Sequence, residues 1–255
     1  MFLALKEDIL NAARSGNLAQ VKNTLKKAQE MNMTRLVLNS KNDKGETALH
    51  LSILGNHENI VDELIKMGCD VNTALNERSN VESFTKDGCY CSGIYEGRSP
   101  LMDACCCGNL SIVKKLVEHN AQIDAVDRNN VNAVMFTAQH GYVDILKILL
   151  QRDKSMVYRK GCKGTTPLGY AAMNGQLDIA KEIILNWSGD INCRTDRGST
   201  PLIIATRFNH LEIVKFLLEN KADRSIKNYG DKAAIDFARE QGNKEIVKLL
   251  RNSLN

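Results

Sequence analysis

Apolar residues recur along this chain at helical spacing, in paired stretches separated by polar turns. One pair runs from Leu168 through Ala171-Ala172, then from Leu177 to Leu185. The next runs from Leu202 through Ala205, then from Leu211 to Leu218, where Ile213, Val214, Leu217 and Leu218 fall on one face. Each pair predicts a short helix, a tight reversal and a second helix. A Gly or Asn ends each first helix (Gly175, Asn209), where a left-handed residue turns the chain back. Thr166-Pro167 and Thr200-Pro201 open two of them, the hydroxyl as cap and the Pro in the first turn, where no hydrogen bond is forfeited.

The pattern repeats in phase. Thr166 to Thr200 is a step of 34 residues, and Ala133-Val134 lies 34 before Pro167-Leu168. Further copies begin at Ser99-Pro100-Leu101, at Thr47-Ala48-Leu49-His50, at Ala233-Ala234-Ile235 and around Ile9 to Gly16, making seven units. A lone helix pair of this size cannot bury its apolar face, so the units are expected to stack on a shared core. Two intervals break the period. Gly16 to Asn56 is 40 residues, which predicts a longer second helix or loop near Met31 to Leu38. Thr47 to Ser99 is 52, leaving 19 residues beyond one period within Asn72 to Gly97.

These residues resemble ankyrin repeats, whose signature is Thr-Pro-Leu-His on a 33-residue period. Thr47-Ala48-Leu49-His50 and the two Thr-Pro-Leu copies carry the likeness, which covers nearly the whole chain. It implies an all-α ankyrin-repeat solenoid of about seven helix–loop–helix units in one domain. Approximate bounds are 3–40, 41–73, 97–126, 127–160, 161–194, 195–227 and 228–255, with an inserted loop at 74–96. The likeness departs at Asn132-Ala133-Val134 and Ala233-Ala234-Ile235, where lower stability is expected. Arg14, Asn11 and Gln20 in the first unit, and Arg239, Glu240 and Lys244 in the last, fit end-capping roles.

Composition then narrows the function. The formal charge of +4, from 34 basic and 30 acidic residues, argues against a dedicated nucleic-acid surface. No apolar run reaches membrane-spanning length, and Lys6-Glu7-Asp8 interrupts any secretory signal. The expected setting is therefore intracellular, cytoplasmic with a nuclear location left open, and the eight cysteines are expected as reduced thiols. Cys89-x-Cys91 with Cys105-Cys106-Cys107 could supply thiolates to zinc, but three adjacent helical residues point different ways, so no metal is expected. No nucleophile elbow, zinc-protease, phosphate-loop or dinucleotide motif occurs, which predicts a non-enzyme without cofactor. His50 is expected to bond the turn of its own repeat.

The resemblance implies a monomer that binds another protein through hairpin tips and inner-helix ends. By register these are Lys44, Glu46, Arg98, Arg128, Lys163, Arg197 and Tyr229 at the tips, and Gln139, His140, Met173, Asn174, Arg207 and Phe208 at the ends. Phe84, Tyr90 and Tyr95 make the insertion a candidate binding finger, because long loops often carry function. Phe208 beside Arg207 pairs the residue types that dominate binding hot spots. Other readings are a nucleotide or phosphorylated ligand held by Arg197, Arg207, Phe208 and Tyr229, or a redox- or metal-responsive Cys89/Cys91 module. The Lys/Asn-rich, Pro-poor composition also suits a secreted bacterial effector acting on a host protein. No effector domain is expected beyond the last unit, so any output passes through what is bound.

Overall fold

A computed structural model describes residues 1–75 and 97–251. The chain divides into two compact units, Met1–Arg128 and Asn129–Asn255. The described residues are all-α, with fifteen α-helices and no strand.

In the first unit, α1 (Phe2–Ser15) pairs with α2 (Leu18–Glu30), followed by the short α3 (Thr34–Leu38). Then come α4 (Ala48–Leu54) with α5 (Glu58–Lys66) and α6 (Pro100–Cys107) with α7 (Leu110–Glu118). The 40-residue first interval thus holds both a lengthened second helix and an extra turn of helix. Helices α1, α4 and α6 pack side by side as an inner layer, with α2, α5 and α7 outside. In the second unit the inner helices are α8 (Ala133–His140), α10 (Pro167–Asn174), α12 (Pro201–Arg207) and α14 (Ala234–Glu240). Their outer partners are α9 (Val143–Arg152), α11 (Leu177–Asn186), α13 (Leu211–Glu219) and α15 (Lys244–Arg251). The seven expected units correspond to these seven helix pairs.

Local chemistry fixes where each inner helix starts. Thr47, Ser99, Asn132, Thr166 and Thr200 all sit in extended backbone and accept the amide three residues on. Asn132 therefore performs the hydroxyl's task, its Oδ1 accepting from the Met135 amide at 3.0 Å. All three prolines of the chain stand in the first turn of such a helix. Gly16, Gly108, Gly141 and Gly175 end four inner helices in the left-handed region, and Asn56 and Asn209 take the same turn at φ 57° and 61°. An inner helix between two neighbours of its own unit buries nearly every side chain: Ala48 to Ile53 in α4, between α1 and α6, and Pro201 to Thr206 in α12, between α10 and α14. Outer helices bury one stripe, such as Ile112, Val113 and Leu116 in α7.

The N-cap residue of an outer helix repeatedly reaches back to the preceding repeat. His57 Nε2 meets the Arg14 carbonyl at 3.2 Å, Gln176 Nε2 the Gln139 carbonyl at 3.1 Å, and His210 Nε2 the Met173 carbonyl at 3.0 Å. Asn109 bonds Asn56, and Asn243 bonds Asn209. Carbonyls left open at inner-helix C-termini thereby gain partners from the next repeat, and neighbouring repeats within each unit are held in register.

Candidate protein-binding surface

The exposed positions of the second unit build from the backbone outward. Successive hairpin tips are joined by main-chain bonds: the Asp196 amide donates to the Lys163 carbonyl, and the Tyr229 amide to the Arg197 carbonyl, each at 3.0 Å. Lys163, Arg197 and Tyr229 are all exposed on these tips. Tyr229 is 74% exposed yet its ring is held, because the Arg194 guanidinium lies 5.2 Å from the ring centroid. Arg194 is itself fixed by donating to the Gly198 and Lys227 carbonyls at 3.3 and 2.8 Å.

The inner-helix ends flank these tips. Arg207 and Phe208 close α12 and are both exposed. Phe208 stacks on the His210 ring with centroids 6.5 Å apart. Arg207 lies over the Phe237 ring at 5.4 Å, and its carbonyl accepts from Gln241 at 2.6 Å. Asn174 is exposed, while Gln139, His140 and Met173 are half-buried. Arg194 and Phe237 were missed at the sequence level. Only the tertiary contact shows that they hold Tyr229 and Arg207.

In the first unit Lys44 is exposed, its amide bonded to Asn42 Oδ1 at 2.9 Å, and Arg128 is exposed too. Two expected tip contacts are instead interior. Glu46 is 6% exposed, accepting from Asn42 Nδ2 at 2.7 Å and pairing with Arg14 at 3.4 Å. Arg98 is 2% exposed and pairs with the buried Asp103 at 3.1 Å. The physical reason is positional: the residue just before the cap packs inward in these repeats, as Val131, Thr165 and Ser199 do in others, while Lys232 before the last cap is half-buried. The small or apolar character of Val131, Thr165 and Ser199 was the available signal. Glu46 and Arg98 therefore leave the candidate surface. Phe84, Tyr90 and Tyr95, with Cys89 and Cys91, lie outside the described residues.

The buried titratable groups belong to the structure of the repeats. His50 is fully buried, with Nδ1 2.9 Å from Thr47 Oγ1 and 3.3 Å from the Thr47 amide. The turn bonding expected of it is thus present. Burial drives its pKa down to about 4, partly opposed by a bond to the Arg98 backbone. Burial likewise pushes the Asp103 carboxyl upward, with the Arg98 guanidinium pulling it partly back. Cys69 and Cys193 are free thiols that burial raises to about 12 and about 11, so they stay protonated near neutral pH. Cys105, Cys107 and Cys162 likewise keep their thiols. Among the described residues no group of three or more His, Cys, Asp or Glu is placed to hold a metal ion.

Comparison with known proteins fits this architecture. The family model for ankyrin repeats matches residues 9–127, 74–160, 101–194 and 168–255, so the chain belongs to the ankyrin-repeat family. Among its relatives is the human transient receptor potential cation channel subfamily A member 1, 31% identical over 141 residues, or 53% of this chain and 11% of the channel. The fem-1 homolog of Drosophila melanogaster is 34% identical over 122 residues, covering 48% of this chain and 17% of that protein. An ankyrin repeat protein of fowlpox virus is 22% identical over 137 residues, covering 44% of this chain and 89% of its own length. The likeness to the channel and the fem-1 homolog thus spans a small part of each. Ankyrin repeats serve protein–protein interaction in general, and among the described residues no helix is long and apolar enough to cross a membrane.

Proposed function

We propose that this chain is a non-catalytic, monomeric adaptor of the cell interior that grips a partner protein through the tips and inner-helix ends of residues 129–251. The observation that carries this is the pinned aromatic: Tyr229 is 74% exposed, but Arg194 holds its ring. An exposed aromatic already ordered before binding loses little entropy on contact, and aromatic and Arg side chains dominate binding hot spots. Phe208, 48% exposed and stacked on His210, repeats the arrangement at an inner-helix end.

Affinity capture compared between the natural chain and a Phe208→Ala, Tyr229→Ala double variant tests the reading. The expected outcome is that a protein retained by the natural chain is lost by the variant, at unchanged melting temperature. Capture of the same proteins by both would remove the surface from consideration. The nucleotide reading has less support. Of its four residues, Tyr229 already carries the Arg194 guanidinium and Arg207 already lies over the Phe237 ring, so the stacking ring and one of the two cations are engaged within the protein.

A further inference from the structure

The last helix pair carries a second charged feature, apart from the tips. A cleft of about 490 Å³ is lined by Arg239, Gly242, Lys244, Val247, Lys248 and Arg251. Four of the six are cationic and none is acidic. Lys244, Lys248 and Arg251 fall at steps of four and three, so they share a face of α15 with Val247 between them. The opposite face buries Ile246 and Leu250. Among the described residues no carboxylate pairs with Lys244, Lys248 or Arg251. Arg239 reaches Asp236 at 3.5 Å, and nearby Glu240 is taken by Lys232 at 2.6 Å.

We propose that this cleft docks an acidic segment of a partner protein, in extended or helical form. The cations run over about 10 Å of helix axis, given a rise of about 1.5 Å per residue. That length suits several carboxylates in a row better than one small anion. The aliphatic stems of the lysines and Val247 supply apolar floor for a peptide backbone. A lipid surface fits less well, because none of the exposed large hydrophobic residues lies on this helix pair to enter a bilayer. Single-stranded nucleic acid fits less well too, since no aromatic lines the cleft for base stacking. The site is independent of the tip surface, and either can fail without the other.

Fluorescence anisotropy of the whole chain with a labelled ten-residue Glu-rich peptide tests the proposal. Binding should weaken as salt rises and fall by about tenfold or more in Lys244→Glu, Lys248→Glu. Both side chains are exposed, so folding should survive, and circular dichroism checks it. A Lys26→Glu, Lys27→Glu variant changes net charge equally on exposed positions of α2 and should retain the affinity. Equal losses in both variants would reduce the effect to net charge and overturn the site. So would an equal affinity for a Gln-rich peptide, or tighter binding of phosphatidylserine vesicles or oligo-dT than of the Glu-rich peptide.

Discussion

At the scale of single residues, the interior of the first unit holds its most informative chemistry. His50 sits uncharged in the core because burial lowers its pKa from 6.5 to about 4. A His whose folded pKa is lowered binds fewer protons than the unfolded chain between those two values. Its contribution is therefore complete above about pH 6.5 and is lost as pH falls towards 4. Between about pH 7 and pH 5 that loss is on the order of 2 kcal/mol. Urea denaturation at both values should show the natural chain weakening by more than a His50→Gln variant does. Parallel losses in the two would rule out His50 as the source. Beside it, Asp103 faces Arg98 at 3.1 Å with both side chains buried. Replacing Asp103 with Ala would take this carboxylate from the buried Arg98 guanidinium and should cost about 3–5 kcal/mol. A thermal melt within a degree or two of the natural chain would contradict that.

At the scale of elements, each inner helix depends on its cap, and the copies differ in how they provide it. Asn132 supplies a full side-chain cap, so the lower stability expected there loses its reason at that position. Ala233 has no side-chain acceptor, and only Asp236 returns a bond, to the Ala233 amide at 2.9 Å. Its backbone, φ −86° and ψ 172°, matches that of Thr200 at −85° and 165°. Ala233→Ser should therefore complete the capping box of α14 and stabilise the chain by about 0.5–1 kcal/mol. A lower urea midpoint in that variant would show that the added hydroxyl is worse placed than the backbone suggests. At the other end of an inner helix, Gly175 has φ +74°, and a Cβ there would lie 2.9 Å from the His210 ring. A side chain at this position would disturb both the turn and the His210 bond to Met173.

At the scale of the whole molecule, the sequence and the fold inform each other unevenly. Helix starts, turns and the seven-unit count were legible because each depends on contacts within about 34 residues, and the repeat restates them. The surface was less legible, because exposure depends on how a neighbouring repeat packs. Glu46 and Arg98 look like solvent-facing charges in sequence, but the position before the cap turns inward. Tyr229, Arg207 and Phe208 were legible as register positions, whereas their supports, Arg194 and Phe237, come from other parts of the repeat. That difference yields a last prediction about binding. Removing Arg194 leaves Tyr229 in place but frees its ring, so a tip surface that works by pre-ordering should lose affinity without losing the aromatic. Arg194→Met keeps most of the aliphatic bulk while deleting the cation and the donors to the Gly198 and Lys227 carbonyls. Against a captured partner, its dissociation rate should rise by about tenfold, with a smaller change in association rate. If Arg194→Met dissociates as slowly as the natural chain while Tyr229→Ala does not, the contact is made by the ring alone and its fixation contributes nothing.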